Sequence, residues 1–554
     1  MFKRALIVGA VLAAPFLLWF SFDSSAEAGQ ERAAVEPKLS WIAHQPAADP
    51  APAGPSEASA PRATPAPVPA PRALDSVPRI DAGLEADLES LVDKWFVKAR
   101  KVSGGKLTGP ETQISVHVRD LATGATIADL RGSRLMRPAS NLKLLTTAAG
   151  LVLMGPGGEY ETRFGITGSQ VGAGVEGDLV VLAGGDPFCK DGSLGAVEAR
   201  LDEVADQLRQ SGIRHISGDL VLDEGDFLEP GIGPSWPSSN QHWADYCALA
   251  AGLTLNGGVL EARVTPRAVG SNAKLEVHPA PHGLATKYGV KTVSGTTSKV
   301  LVGATTNRVT VSGQYGASNQ PYEAAFRHPD PVALFGAVLR DRLERGGISL
   351  EGGTIRRRGP PADLQLLGSL RSPITDSLVP INTHSNNGVA DQLFFTLGHH
   401  FGGAGTRAGG QRAVVAALEQ LGIDSVGLVQ VDGSGLSRDN LVAPAHFTGL
   451  LTAALAELDS GDLAAQQYLQ SLAIAGVTGT LERRMRNGPA QGRCFAKTGF
   501  IDGTSSLSGL ARTSDGRDLV FSILVNYPSI SSLNTSAWKP MQDAMVERLV
   551  TGNL

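Results

Sequence analysis

The sequence predicts an α/β domain assembled from both ends of the chain, with a long β-rich segment inserted into it. Three observations predict this. Helical periodicity is concentrated before residue 160 and after residue 380, the stretch between reads as short strands punctuated by glycine turns, and 554 residues exceed what one hydrophobic core usually supports. Hydrophobic residues make up 42% and charged residues 19%, a globular composition, while a net charge of −5 without a Lys/Arg block argues against a nucleic-acid partner.

Residues 1–28 have the layout of a secretory signal peptide. Lys3 and Arg4 precede the apolar run Ala5 to Phe20, and Ala26-Glu27-Ala28 offers a small-residue cleavage site. The alternative is an uncleaved anchor that tethers the protein to a membrane, since Leu17 to Phe20 lengthen the apolar run. Either way the bulk of the chain is expected outside the cytoplasm, in a periplasmic or other extracytoplasmic space. Residues 29–80 hold a Pro/Ala-rich stretch, Pro50 to Pro71 at its centre, that reads as an extended linker. Of the three cysteines, Cys189 and Cys247 are the natural pair for a disulfide in an exported protein.

Ordered pattern starts near residue 80, and residues 81–160 are expected to be the first part of the α/β domain. Leu84 to Ala99 is periodic for a helix, Thr112 to Asp120 and Thr126 to Asp129 form a hairpin through Thr123-Gly124, and a long apolar helix spans about Pro138 to Met154. Residues 161–372 form the β-rich insert, interrupted by one helix from about Gly195 to Ser211. Residues 373–554 return to α/β pattern. Helices are expected over Gly388 to His399, Gly409 to Leu421 and Pro444 to Glu457, strands over Ser505 to Arg512 and Asp518 to Asn526, and a final helix from about Ser536 to Val550.

The chemistry-bearing signal is Ser140-Asn141-Leu142-Lys143 at the head of the apolar helix. Positions i and i+3 share a helix face, so Ser140 and Lys143 should lie side by side. Pro138 suits a helix start, and a lysine in an apolar helix is desolvated, which lowers its pKa and makes it a usable base. The same Ser-x-x-Lys string recurs at Ser103, Ser271 and Ser536, none of which opens a long buried helix. Two further elements single out Ser140: Ser385-Asn386-Asn387 before the helix Gly388 to His399, and Lys497-Thr498-Gly499, expected just before the strand hairpin. Ser-x-Asn also occurs at Ser238 and Ser532, but only Ser385 lies between the other two elements in a loop-to-helix setting.

This ordered trio resembles the signature of β-lactamases and penicillin-binding proteins. The wide separation of Ser140 and Ser385 resembles one branch in particular, the class C low-molecular-mass penicillin-binding proteins, which are D-Ala-D-Ala carboxypeptidases and endopeptidases. Leu182-Ala183-Gly184-Gly185-Asp186-Pro187, Gly218-Asp219 with Asp223 and Phe227, and Asp432 to Arg438 are similar to it too. The resemblance spans residues 80 to 550 and implies a penicillin-binding, β-lactamase-like transpeptidase domain with inserted β-rich domains. It implies peptidoglycan stem peptides as substrate, β-lactam antibiotics as covalent inhibitors, and no cofactor.

By that resemblance Ser140 is the nucleophile and Lys143 takes its proton. Ser385 relays a proton to the leaving amine, and Asn387 positions the substrate and Lys143. Lys497, Thr498 and Gly499 receive the substrate's terminal carboxylate, and the backbone N–H groups of Ser140 and Phe500 form the oxyanion hole. Phe500 stands where the family more often carries a small hydroxyl residue. This removes a side-chain contact to that carboxylate and favours an internal cross-link as substrate. A β-lactamase would use the same trio, but no Glu loop for deacylation is evident between Ser385 and Lys497. A non-catalytic wall-binding protein would have no need of a nucleophile with a paired base. His399-His400 ends a helix without an acidic partner at ligand spacing, which favours capping over a metal site.

Overall fold

The computed structural model describes residues 79–188, 196–456, 458, 460–530 and 532–552. The expected leader (1–28), all but the end of the linker (29–80) and Cys189 lie outside them. Among the described residues no helix is long and apolar enough to cross a membrane.

Helix Ala82–Val102 starts at Asp81, whose side chain accepts the Leu84 N–H, and it buries Leu84, Leu88 and Ala99. The hairpin follows as Gln113–Asp120 and Thr126–Leu130. Its first strand pairs antiparallel with Asp518–Asn526, from Gln113 opposite Asn526 to Asp120 opposite Leu519. The two ends of the chain thus share one six-stranded sheet, ordered Ala473–Ile474, Cys494–Ile501, Thr504–Arg512, Asp518–Asn526, Gln113–Asp120, Thr126–Leu130.

Both faces of this sheet are covered. Leu519, Phe521, Ile523 and Val525 pack with Leu84, Leu88, Trp538 and Leu549 from the first and last helices. Val520 and Leu524 pack on the opposite side with Leu145, Leu393, Phe394 and Phe447. The alternation is the period of two that a strand imposes, here apolar on both sides because helices lie on each.

The middle of the chain builds its own sheets around a separate core that includes Phe164, Leu222, Phe335 and Leu339. Strands Glu159–Ile166 and Gln365–Pro373 pair antiparallel with Pro373 opposite Glu159, so the segment leaves beside the point where it enters. The single helix expected here is short, Asp202–Gln210 after a turn at Ala196–Ala199, and a second helix, Pro331–Arg345, was not anticipated. Asp330 caps it through the Ala333 N–H and Pro331 opens it. Val332, Phe335 and Leu339 carried the spacing, masked by the strand-like composition on either side. Cys247 and Cys494 are free, buried thiols.

Candidate active site

The apolar helix begins in two steps. Ala139–Leu142 is a tight 3-10 turn and Lys143–Met154 is α-helical, in place of one continuous helix from Pro138. Ala139 sits at φ +47°, a strained conformation for a residue with a Cβ. Every residue from Lys143 to Leu151 is buried, whereas Ser140 at the mouth is only half-buried. The Lys143 ammonium, fully buried, has three acceptors: Ser140 Oγ at 3.1 Å, Asn387 Oδ1 at 2.7 Å and the Ser434 carbonyl at 2.6 Å.

The second wall comes from the turn into helix Asn387–Phe401. Asn386 caps it by accepting the Val389 N–H at 3.0 Å, which brings Asn387 into the first turn, and Ser385 precedes it at φ +62°. The Asn387 amide is gripped at both ends, donating Nδ2 to the Tyr246 carbonyl at 2.8 Å.

The third wall is a strand edge. Lys497-Thr498-Gly499 precedes the hairpin as expected and lies inside a further strand, Cys494–Ile501, with Lys497 opposite Ser508 and Gly499 opposite Ser506. That strand was not anticipated, because the motif interrupts its apolar residues. Lys497 Nζ donates to Ser385 Oγ at 2.8 Å and to the Thr498 carbonyl at 2.9 Å, and the Thr498 hydroxyl meets Thr480 Oγ1 at 2.9 Å. Because Arg512 N bonds Arg493 O, the antiparallel alternation turns the Thr498 and Phe500 amides away from Thr504–Arg512, toward the open edge. A Cβ on Gly499 would lie 3.0 Å from Ser140 N and 2.1 Å from Ser506 Oγ, so glycine permits the close approach of the strand to Ser140. The Phe500 side chain is 48% exposed.

All three motifs therefore meet at one place. Burial lowers the Lys143 pKa to about 7, against the opposing pull of Asp391 and Asp432. Burial, aided by the charge of Lys143, also holds Lys497 well below the usual lysine range. Burial pushes both Cys247 and Cys494 up to about 12, which leaves them inert thiols.

Several participants were not anticipated from the sequence: Asp391, Ser434, Tyr246, Thr480 and Ser506. Asp391 follows Asn387 by four residues on one helix, so its shared face was readable. The segment Asp432-Gly433-Ser434-Gly435 bends back beside the site. Its Ser434 carbonyl reaches Lys143, while the Asp432 carboxylate accepts from Gly435 N, Ser437 N, Asn440 Nδ2 and Trp236 Nε1 at 2.7 to 3.0 Å. The others are backbone or hydroxyl groups that carry no pattern of their own. His399 pairs with Asp226 and stacks on Phe227. Among the described residues no group of three potential metal ligands occurs.

Gly435 tests how tightly this turn holds the backbone at Ala139 and Ser140. It sits at φ +82°, and a Cβ there would lie 1.9 Å from the Ala139 carbonyl. Gly435→Ala should cost about 2–4 kcal/mol of stability, through left-handed strain plus the clash. A shift of about 1 Å at a reacting group costs about 10²-fold, so any covalent reaction at Ser140 should slow by that factor per folded molecule. Thermal melts and acylation rates check both, and a wild-type rate in the variant would refute the close packing.

A family model described as "D-Ala-D-Ala carboxypeptidase 3 (S13) family" matches residues 104–551. The chain is 33% identical over 452 residues to a D-alanyl-D-alanine carboxypeptidase of Actinomadura sp. (strain R39), covering 78% of this chain and 80% of that one. It is 27% identical to D-alanyl-D-alanine carboxypeptidase DacB of Haemophilus influenzae, covering 74% and 84%. The crystal structure of penicillin binding protein 4 (dacB) from Haemophilus influenzae superposes with a TM-score of 0.65 at 25% identity, over 81% of this chain and 98% of that one. A second structure of that protein, complexed with a β-lactam, gives a TM-score of 0.61. The chain belongs to the D-Ala-D-Ala carboxypeptidase 3 (S13) family and is a serine peptidase.

Proposed function

We propose that the enzyme cleaves D-alanyl-D-alanine bonds of peptidoglycan stem peptides, or the cross-links between them, through an acyl-enzyme on Ser140. The observation that carries this reading is the buried Lys143 amine, shared among Ser140 Oγ, Asn387 Oδ1 and the Ser434 carbonyl. A buried lysine so depressed in pKa is neutral in a large fraction of molecules near neutral pH, and a neutral amine within 3.1 Å of a hydroxyl is a base.

The roles follow from this. Lys143 takes the Ser140 proton as Oγ bonds to the carbonyl carbon, and the N–H groups of Ser140 and Phe500 receive the developing oxyanion. The C–N bond then breaks, and the leaving amine gains a proton through Ser385. Water hydrolyses the ester, returning Ser140 and a free peptide carboxylate. Asn387 orients Lys143 and the substrate. Lys497, with Thr498 and Gly499 on the strand edge, receives the substrate carboxylate, and a β-lactam enters by the same route and acylates Ser140. The domain scheme supports one catalytic unit from residues 81–160 and 373–554, with 161–372 as insert. The composition of residues 1–28 supports export to an extracytoplasmic space, with cleavage or a membrane tether at that end.

Phe500 bears on the choice of substrate. Its exposed ring offers no hydroxyl to a terminal carboxylate, which favours a cross-link. Purified enzyme incubated with pentapeptide and with cross-linked muropeptides should cut the cross-linked form faster. Phe500→Ser should raise release of terminal D-alanine by about 10-fold, the worth of one good hydrogen bond to a charged group. No product from either substrate would refute the proposed reaction.

A further inference from the structure

Below the Lys143 amine lies a carboxylate for which the reaction above has no role. Asp391 is fully buried on helix Asn387–Phe401, one turn beyond Asn387. Its Oδ1 accepts the Gly433 N–H at 2.8 Å, and the Ser434 hydroxyl is a second hydrogen-bonding neighbour of the carboxyl. The next residue, Ser434, supplies the carbonyl that holds Lys143 Nζ at 2.6 Å. Thr146 from the nucleophile helix donates to the Gly433 carbonyl at 2.8 Å, so this peptide is held from both sides.

We propose that Asp391 is a positioning residue for Lys143: it fixes the Gly433–Ser434 peptide whose carbonyl aims the amine at Ser140. The inference rests on the reading of Lys143 as the base. Burial, then the neighbouring Asp432, raises the Asp391 pKa to about 8, so the carboxyl is largely uncharged at neutral pH and acts through its acceptor oxygen. The ionisable groups around the pair are Asp432 on the adjoining turn, Lys497 on the strand edge and the Cys247 thiol, which burial keeps protonated.

Two variants test the aim. Asp391→Asn keeps the shape and an oxygen for the Gly433 N–H. Asp391→Ala removes both. Acylation by a fluorescent penicillin is followed from pH 5 to 9, with rates normalised to sites titrated by the same reagent, so that loss of folded protein cancels. Asp391→Asn should acylate within about threefold of the wild-type rate across that range, since it can still accept the Gly433 N–H. Asp391→Ala should be about 10²-fold slower at every pH, the scale of a misaimed base. A wild-type rate in Asp391→Ala overturns the proposal, as does an Asp391→Asn as slow as Asp391→Ala, because the aim needs only an acceptor for the Gly433 N–H. Should the wild-type enzyme itself take up no label, the reading of Ser140 and Lys143 fails and Asp391 fails with it.

Discussion

Ser140→Ala is expected to abolish covalent labelling by penicillin and to reduce peptide cleavage about 10⁶-fold, the usual consequence of removing an acyl-forming nucleophile. The loss should be chemical and not structural. Ser140 is half-buried, and its removal takes one acceptor from Lys143 while Asn387 Oδ1 at 2.7 Å and the Ser434 carbonyl at 2.6 Å remain. The amine is therefore not stranded, and the melting temperature should stay near that of the wild type. Gel fluorescence after incubation with labelled penicillin, followed by mass mapping of the modified peptide, makes the test. A label that persists in Ser140→Ala, or that maps to another serine, would remove the central assignment.

Lys143→Met should lower the acylation rate by about 10⁴-fold, the upper end of what a positioned base contributes. Methionine fills a similar volume, so the packing of the surrounding helix face survives. The wild-type profile carries its own check. With the Lys143 pKa lowered to about 7, acylation should rise through that pH and level off above it, falling tenfold per unit on the acid side. The same group affects stability. Between pH about 7 and the ordinary lysine value of 10.5 the unfolded chain binds a proton the folded chain has lost, so this site adds stability as pH rises through that window and withdraws it as pH falls toward 7. In Lys143→Met that dependence should vanish from the melting curves along with the acid limb of any residual acylation. A variant within tenfold of the wild-type rate would show that another group takes the proton.

Much of this was legible in the sequence because it rests on local pattern. The amphipathic periods placed the flanking helices and the last two sheet strands within a few residues. Ser140 and Lys143 are three apart on a turn, so their contact follows from helix geometry alone. The apolar residues after Lys143 already imply a desolvated amine. The helix Pro331–Arg345 escaped notice although its cap and spacing were present, since neighbouring strand-like segments dominated the reading. Lys497-Thr498-Gly499 lies ahead of the hairpin as expected, but the strand that carries it escaped notice, because the motif itself interrupts the apolar residues of that strand.

The sequence by itself determined which groups could react: a serine with a lysine one turn away, and two later motifs able to meet them. Only the tertiary structure decided how they are held. The carbonyl of Ser434 on Lys143, the Gly433 N–H on Asp391 and the Tyr246 carbonyl on Asn387 are all contacts made through backbone groups. Every residue carries such groups, so no pattern of side chains reveals which ones a distant fold will bring to a buried charge.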